Sequence, residues 1–264
     1  ALKNCHFVIH LAAETGTGQS MYEVAKYYET NVLGTAILME EIINSDTPVE
    51  RVVLTSSRSV YGEGAYVCQL DCSRGERIYP QSRSHRDLIN HSWEHICPNC
   101  GKGLTPIPTK ESDMTLPASV YAATKFAQEE IVRLTCQPRG IDYKILRLQN
   151  VYGRGQSLKN PYTGILSIFS TRIRLGKDLG IFEDGNETRD FVHVADVAKV
   201  VARVLKNDHQ PTLINVGSGD FITVMEISDM LVKAFSADVK IKITGEFRLG
   251  DIRHNCADIG VLNG

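Results

Sequence analysis

The sequence lacks the features that would place the chain in a membrane or on a nucleic acid. None of its apolar runs approaches the ~20 residues that a helix needs to cross a bilayer, and its first residues show no basic-then-apolar signal peptide. Basic residues do not outnumber acidic ones, and the formal net charge is −2, so there is no basic field to attract phosphates or anionic lipids. We therefore expect a cytoplasmic protein that binds neither nucleic acid nor membranes.

Cysteine is also scarce. Seven irregularly spaced cysteines in 264 residues exclude a secreted scaffold built on disulfides. Cys5, Cys136 and Cys256 stand in apolar or mixed runs and are expected to be buried thiols. A chain of this length with 42% hydrophobic and 23% charged residues is sufficient for one domain, or for a domain with a small lobe.

Strand and helix patterns alternate in the first half of the chain. Short apolar runs predict buried strands at 7–13, 51–55 and 143–148. Apolar residues at helical spacing predict helices at about 32–44 and 119–136, the second capped by Ser119 and stopped by Pro138 and Gly140. This order predicts a parallel α/β sheet with crossover helices, which binds ligands at the carboxyl ends of its strands.

Tyr121 and Lys125 lie four residues apart in the second predicted helix and therefore share one face. Tyrosine titrates near pH ~10, and a neighbouring ammonium lowers that pKa by favouring the phenolate. Ser57, just after a predicted strand, adds a hydroxyl that can hold a substrate oxygen. The three residues predict general-base catalysis by Tyr121, although this spacing alone also fits a surface tyrosine and a solvated lysine.

Seven motifs in a fixed order resemble those of extended short-chain dehydrogenases/reductases, in the NAD-dependent nucleotide-sugar epimerase/dehydratase family. They are His10-Leu-Ala-Ala13, Asn31-Val-Leu-Gly-Thr35, Ser56-Ser-Arg-Ser-Val-Tyr-Gly62, Tyr121-x-x-x-Lys125, Leu146-Arg-Leu-Gln-Asn150, Arg189-Asp-Phe-Val-His-Val-Ala-Asp196 and Arg248-Leu-Gly-Asp251. The resemblance implies a Rossmann-like doubly wound sheet, bound NAD and a nucleoside-diphosphate sugar as substrate. By analogy it also implies a homodimer formed through the two predicted helices.

The resemblance also implies a role for individual residues. The catalytic set would be Ser57, Tyr121 and Lys125. The dinucleotide would be lined by Leu11, Ala12, Ala13 and Asn31, with Tyr121 and Lys125 at its nicotinamide end. The substrate would be held by Ser57 at the sugar and by Asn150, Arg189 and Arg248 at the diphosphate, since guanidinium groups suit bidentate phosphate contacts.

The residues before Val60-Tyr-Gly62 indicate the reaction. Dehydratases of the family carry Thr-Asp-Glu there, and sugar-acid decarboxylases carry a glutamate at the position of Ser59. This chain has Ser57-Arg58-Ser59 instead, so no carboxyl group is present for elimination, and epimerisation at C4 through a transient 4-keto sugar is favoured. Segments 16–22 and 150–164 and the cysteine-containing insert further resemble bacterial dTDP-L-rhamnose 4-epimerases, which interconvert dTDP-L-rhamnose and dTDP-6-deoxy-L-talose.

Three other functions stay open. Two use the same scaffold: a UDP-sugar 4-epimerase, and a one-way NAD-dependent sugar-nucleotide dehydrogenase. The third is a non-catalytic, regulatory nucleotide-binding protein. We assign residues 1–160 to a partial NAD-binding Rossmann domain interrupted by an insert at 63–117. Residues 161–264 are assigned mainly to a smaller α/β substrate-binding lobe.

The insert contains two cysteine pairs, Cys68-x3-Cys72 and Cys97-x2-Cys100, separated by 24 residues (73–96). Two such pairs predict a structural zinc ion held by four thiolates, which would leave no open position for catalysis. The alternative is four reduced cysteines in a loop packed on the main domain. Three histidines between the pairs are expected to be exposed rather than ligands: His85, His91 and His95.

A glycine-rich turn is missing from the start of the chain. The family's first strand and this turn should precede Phe7, but the six residues before it contain no glycine. The turn normally places the dinucleotide pyrophosphate at a helix N-terminus. We therefore expect a fragment, also shortened after Asp258, with one sheet edge open and with weak retention of NAD.

Overall fold

The computed structural model describes residues 2–44, 48–70, 72, 74–158, 164–207 and 211–264. These residues form the strands β1 (Phe7–His10), β2 (Arg51–Ser57), β3 (Tyr66–Cys68), β4 (Leu104–Pro106), β5 (Asp142–Leu148), β6 (Asn150–Tyr152), β7 (Leu179–Ile181), β8 (Thr188–Arg189), β9 (Phe191–His193), β10 (Leu213–Val216), β11 (Ile222–Thr223) and β12 (Ile241–Ile243). They also form the helices α1 (Thr17–Ser20), α2 (Val24–Tyr27), α3 (Gly34–Asn44), α4 (His85–Ile89), α5 (Val120–Cys136), α6 (Ile165–Arg174), α7 (Val194–Lys206), α8 (Val224–Phe235) and α9 (Gly260–Asn263).

The central sheet has four parallel strands in the order β1-β2-β5-β10. The prediction of a parallel α/β sheet is therefore confirmed. Strand β2 is buried along almost its whole length, because side chains of both its faces pack under helices. Val52 and Leu54 pack against α3 and α5 on one face, whereas Val53 packs with residues of α7 on the other. Continuous apolar runs of this kind are typical of parallel strands covered on both faces.

Helix α5 carries the predicted catalytic pair, and its ends are those that the sequence predicts. The Ser119 hydroxyl accepts a hydrogen bond from the Ala122 backbone N–H at 3.1 Å and caps the first turn. At the other end a 3-10 turn at Gln137–Arg139 leads to Gly140, whose φ of 67° is left-handed. The cap fixes where the helix begins, and thereby the height of Tyr121 above the sheet.

The helix predicted at 32–44 begins differently. Residues Tyr28–Leu33 form a π-helical segment that leads directly into α3. Such segments are rare and interrupt the regular hydrogen-bond ladder. Here the segment contains the fully buried Asn31, one of the residues assigned to the cofactor. The apolar period in the sequence predicts the helix but does not reveal its change of pitch.

The second half of the chain contributes both to the sheet and to a separate layer. β10 pairs with β5, so the chain returns to the central sheet well after residue 160. The smaller layer packs α6 and α8 around a cluster formed by Phe169, Ile173, Leu179, Ile181 and Val224, beside the parallel pair β7 and β12. The predicted boundary between residues 160 and 161 lies outside the described residues.

The insert at 63–117 has a small structure of its own. Strands β3 and β4 pair antiparallel, and the short helix α4 lies between them in the sequence. Its apolar core consists of Tyr66, Cys68, Cys97 and Leu104. A core of this size buries little apolar surface, so other interactions must hold the insert in place. Across the described parts of the chain, no helix combines the length and the apolar character that a bilayer crossing requires.

Candidate active site

Ser57 and Tyr121 meet at the carboxyl end of β2. Ser57 is the last residue of that strand, and its hydroxyl accepts hydrogen bonds from the backbone N–H of Ser59 at 3.2 Å and from the Ser59 hydroxyl at 3.0 Å. Tyr121 lies in the first turn of α5, where its backbone N–H donates to the Ser20 hydroxyl at 3.0 Å. Burial raises the pKa of Tyr121, while a hydrogen bond with Ser57 and the charge of Arg58 oppose that rise.

Lys125 lies one turn further along α5, and only 3% of its surface is exposed. Its ammonium donates to the Thr55 carbonyl at 2.7 Å and to the Gln128 side-chain carbonyl at 2.5 Å. Burial lowers the pKa of Lys125 to about 8, against the opposing charge of Glu129. The pKa of Tyr121 stays raised overall, and the cation that opposes the rise is Arg58 rather than the predicted Lys125.

The residues assigned to the dinucleotide fall into two groups. Leu11 and Ala12 are exposed and Ala13 is half-buried, at the carboxyl end of β1. Asn31 is instead fully buried. Its side-chain oxygen accepts from the Glu14 N–H at 2.8 Å, and its amide donates to the Glu14 carbonyl at 3.1 Å and to the Thr124 hydroxyl at 2.9 Å. Asn31 thus ties the loop after β1 to the catalytic helix.

The residues assigned to the diphosphate are also spread. Asn150 donates to the Asp190 carbonyl at 2.9 Å, beside a surface cavity of about 390 Å³ lined by residues 151–156 and 194. The half-buried Arg189 donates to the carbonyls of Arg253 at 3.0 Å and Ile252 at 3.1 Å. Arg248 is exposed, with its guanidinium carbon 4.8 Å from the centre of the Phe182 ring. Each of these three side chains thus has its own protein partner in the described structure.

Three buried residues that received no role from the sequence lie directly behind the catalytic set. Arg147 of β5 and Glu129 of α5 form a forked ion pair with N–O distances of 2.7 and 3.0 Å. The same carboxylate accepts from the Ser56 hydroxyl at 2.5 Å. The network joins β2, β5 and α5 just below Ser57 and Lys125. Arg147 stands within the motif Leu146-Arg-Leu-Gln-Asn150, which was the only signal for it in the sequence.

A second buried charge network joins the insert to the C-terminal part of the chain. Its centre is Arg253, which has no exposed surface. Its guanidinium donates to Glu94 at 2.5 and 2.8 Å, to Asp184 at 2.7 and 2.9 Å and to Glu183 at 3.0 Å. Arg83 forms a second fork with Glu183 at 2.7 and 2.9 Å. The sequence motif pointed to Arg248, but the arginine buried in this region is Arg253.

The prediction for His95 is wrong. His85 and His91 are exposed as predicted, but only 7% of the surface of His95 is exposed. Its ring packs edge-on against Tyr66, and its Nε2 lies 3.1 Å from the carboxylate of Glu63. Burial raises the pKa of Glu63, but the contact with His95, the Arg253 backbone N–H and the charge of Arg83 together outweigh it, and the pKa is lowered overall. Glu63 also lines a cavity of about 180 Å³ beside residues 80–82 and 115–117.

The four cysteines of the insert converge. Their sulfur atoms lie within 4.8 Å of one another, and no other group of three or more metal-ligating side chains comes together in the described residues. Cys68 lies 3.3 Å from Cys72 and 3.5 Å from Cys100, and Cys72 lies 3.4 Å from Cys97. All seven cysteines are free of disulfides. Cys136 and Cys256 are buried as predicted, whereas Cys5 is half-buried.

Comparison with known proteins identifies the class to which this fold and site belong. Residues 1–217 match the profile of the NAD dependent epimerase/dehydratase family. The chain therefore belongs to that family, as its motifs predict.

Individual relatives are more specific. The chain is 40% identical to a dTDP-L-rhamnose 4-epimerase of Burkholderia thailandensis over 96% of its own length and 67% of that protein. It is 30% identical to a putative UDP-glucose 4-epimerase of Methanocaldococcus jannaschii over 87% of its length and 61% of that protein.

Solved structures give the same picture. The chain resembles a UDP-N-acetylglucosamine 4-epimerase from Methanobrevibacter ruminantium M1 in complex with UDP-N-acetylmuramic acid, with a TM-score of 0.78 and 28% identity over 99% of this chain and 70% of that one. It also resembles MoeE5 in complex with UDP-glucuronic acid and NAD, with a TM-score of 0.75 and 27% identity over 98% and 72% of the two chains.

Proposed function

We propose that the protein is an NAD-dependent nucleotide-sugar 4-epimerase, and that its substrate pair is dTDP-L-rhamnose and dTDP-6-deoxy-L-talose. The observation that carries the reaction is the half-buried Ser57–Tyr121 pair at the carboxyl end of β2, with Arg58 where a dehydratase needs a carboxyl group. The 40% identity to the Burkholderia protein favours this substrate over UDP sugars.

The chain's own residues move the proton. Ser57 holds the oxygen on C4 of the sugar, and Tyr121 takes the hydroxyl proton as C4 is oxidised to the ketone. The same phenol returns the proton when the hydride comes back to the other face. Asn150, Arg189 and Arg248 hold the nucleotide while the sugar turns. The hydride is returned in each cycle, so the reaction is an isomerisation without net oxidation.

The residues at the end of β1 fit the nicotinamide ribose of NAD. Ala12 is exposed and Ala13 half-exposed, so short side chains border the strand end where such a ligand binds. The described residues take up two of the three N–H donors of Lys125, which leaves one for a ribose hydroxyl. Leu11 would border the same ligand, and Asn31 would shape its loop. Bound there, NAD would supply the acceptor and donor of the C4 hydride.

The reaction is tested with Tyr121→Phe. We expect interconversion of dTDP-L-rhamnose and dTDP-6-deoxy-L-talose, followed by chromatography, to slow by about 10²–10⁴-fold, because the general base is lost. Binding of the sugar nucleotide, measured by calorimetry, should be unchanged. Tyr143→Phe, which changes a half-buried tyrosine paired with Val52 near the amino end of β5, away from Ser57 at the carboxyl end of β2, is the matched control.

Each alternative function has its own outcome in this test. Stoichiometric NADH release with substrate would indicate a dehydrogenase. Turnover of UDP-glucose in preference to dTDP sugars would indicate a UDP-sugar epimerase. Binding without any turnover that depends on Tyr121 would indicate a regulatory nucleotide-binding protein.

We further propose that Cys68, Cys72, Cys97 and Cys100 hold a structural zinc ion. A tetrahedral ion with Zn–S distances of 2.3 Å requires sulfur separations of ~3.8 Å. Neighbouring sulfurs here lie 3.3 to 3.5 Å apart, and no two sulfurs of the group are more than 4.8 Å apart. The four sulfurs therefore bracket the spacing of ~3.8 Å that a tetrahedral zinc ion requires. Since the insert has a small apolar core, the metal would supply much of its folding free energy.

Metal analysis and cobalt substitution test the zinc site. We expect one zinc per chain, and a Co²⁺-loaded protein with thiolate-to-metal charge-transfer bands. Cys97→Ser should lose both signals, whereas Cys5→Ser, outside the group, should retain them. Four thiols that react freely in metal-free, folded protein would favour the alternative of reduced, unliganded cysteines.

Two further assignments are proposals of the same kind. Leu33, Ile37 and Leu134 are each more than half exposed near or on α3 and α5, the helices assigned to a dimer, and light scattering tests whether a second copy covers them. Seven cysteines without a disulfide favour a reducing compartment such as the cytoplasm.

A further inference from the structure

Lys125 belongs to a buried polar cluster that also contains His10 of β1, Thr35 of α3 and Gln128 of α5. At most 8% of the surface of any of these four residues is exposed. Buried polar groups are costly unless their hydrogen bonds are made. Here every member makes at least one, so the cluster is a defined structure rather than a set of chance contacts.

Gln128 is the centre of this cluster. Its side-chain oxygen accepts from the Lys125 ammonium at 2.5 Å, and its nitrogen donates to the Thr35 hydroxyl oxygen at 2.6 Å. Thr35 in turn donates its hydroxyl proton to the Asn31 carbonyl at 2.6 Å, so its oxygen is free to accept. The His10 ring lies 2.8 Å from the same oxygen and 3.3 Å from the Gln128 nitrogen.

This arrangement determines which way the Gln128 amide faces. A reversed amide would set its NH2 group against the ammonium of Lys125, donor against donor. The Thr35 oxygen, which accepts from the Gln128 NH2 group, therefore keeps the carbonyl oxygen on Lys125. The Thr55 carbonyl, 2.7 Å away, accepts a second ammonium proton. The carbonyl oxygens of Gln128 and Thr55 thus hold the Lys125 ammonium at one position under the sheet edge.

We propose that Gln128 is a positioning residue for the reaction: held by Thr35, it keeps Lys125 protonated and in place for the cofactor ribose. The inference depends on the proposed function only for the purpose of that lysine. Gln128 stands outside the motifs that resemble the family, and its role follows from these contacts alone.

The charges around Lys125 explain why a neutral acceptor matters. Glu129 follows on α5, but its carboxylate is already bound by Arg147 and Ser56. His10 faces the lysine from β1, and burial together with the Lys125 charge lowers the pKa of His10, so that its ring is neutral at pH 7. Tyr121 lies on the same helix, with Arg58 beside it. Burial has brought the pKa of Lys125 down to about 8. Loss of the Gln128 hydrogen-bond acceptor would lower this pKa further, toward neutral pH, where the lysine would lose part of its charge.

The test measures the titration of Lys125 directly. In protein labelled with ¹³C at the lysine ε-carbon, the Lys125 signal is assigned by its absence in Lys125→Met. We expect Gln128→Leu to lower the pH at which this signal titrates by about one unit, because one hydrogen bond to the charged form is lost. Gln128→Glu should raise it, since an adjacent carboxylate favours the ammonium. The alkaline limb of kcat/KM should move in the same directions.

The controls separate this inference from the proposed function. Thr135→Val changes a half-buried hydroxyl of α5 that bonds to the Ile131 carbonyl outside the cluster, and it should leave the Lys125 titration unchanged. The Lys125 titration is measured without catalysis. If the protein were inactive but both Gln128 variants shifted the pKa of Lys125, only the epimerase proposal would be refuted. If Gln128→Leu fails to fold, the Lys125 titration in the near-isosteric Gln128→Glu variant tests the inference. A Lys125 titration equal to that of the wild type in the folded variants would overturn the inference.

Discussion

Arg253 offers the sharpest test of how the insert and the C-terminal part of the chain are held together. The residue has no exposed surface; it hydrogen-bonds to Glu94, Glu183 and Asp184 and lies 3.7 Å from the carboxylate of Glu187. Arg253→Met keeps a long, flexible side chain but removes the charge and all five hydrogen bonds. The carboxylates would then face one another, with Arg83 still paired with Glu183 and His254 still in contact with Glu94.

The expected loss is about 3–5 kcal/mol of unfolding free energy at pH 7, the cost of removing one partner from a buried ion pair. Against a typical total of about 5–15 kcal/mol, the variant would be marginally stable. Urea denaturation followed by circular dichroism and tryptophan fluorescence measures the loss, because Trp93 lies in the insert. Arg253→Lys should recover part of it, since an ammonium keeps the charge without the planar fork.

The pH dependence distinguishes lost charge pairing from lost packing. Although burial raises their pKa values, hydrogen bonds from Arg253, with His254 also acting on Glu94, hold the pKa of Asp184 and of Glu94 at about 2. Unfolded carboxyls titrate near ~4. The wild type therefore loses this stabilisation as the pH falls from about 4 to 2, and the deficit of Arg253→Met should shrink over that window. A deficit below about 1 kcal/mol at pH 7, or one that is constant with pH, would refute the reasoning.

Two further predictions concern single residues near the site. Burial raises the pKa of Glu187 to about 7, above its unfolded value of ~4.3. The wild type should therefore lose stability as the pH rises between these values, whereas Glu187→Gln should not. A stability difference between the two proteins that does not change with pH would contradict this. Gly62 has a φ of 63°, and a Cβ there would lie 2.2 Å from the Leu116 carbonyl oxygen, so Gly62→Ala should cost more than the ~1 kcal/mol of left-handed strain. Gly140→Ala, with φ 67° and open space around it, is the matched control, and equal denaturant midpoint shifts in the two variants would exclude a clash at Gly62.

The parts of the fold that depend on local sequence were predictable. The Val52-Val53-Leu54 run, the Ser119 cap and the Gly140 stop each act within a few residues, so strands and helices could be read from spacing. The convergence of Ser57 with Tyr121 followed from a parallel sheet whose strand ends share one edge. The cysteine pairs could be matched because each stands on a short turn.

Residues whose partners are remote in sequence were not predictable in the same way. Arg253 meets Glu94 across 159 positions, and nothing near either residue marks the pairing. His95 was expected in solvent because it stands in the loop between the two cysteine pairs, but its partner Glu63 comes from the start of the insert. The π-helical turn at Tyr28–Leu33 depends on the contacts of Asn31 with Glu14 and Thr124, which only the folded chain brings together.

These remote contacts divide the candidate site into two differently supported halves. The catalytic half rests on α5 and β2, where Arg147 and Glu129 on one side and Gln128 on the other hold the side chains from within the sheet layer. The substrate half rests on the short strands β6 and β8 and on the segment 248–253, which Arg253 ties to the insert. Epimerisation requires a fixed base and a sugar that can turn over within its pocket. A rigid catalytic helix facing a separately anchored substrate wall meets both requirements. We expect removal of the zinc ion proposed for the four cysteines to disturb this substrate wall, and therefore KM, before it affects Tyr121.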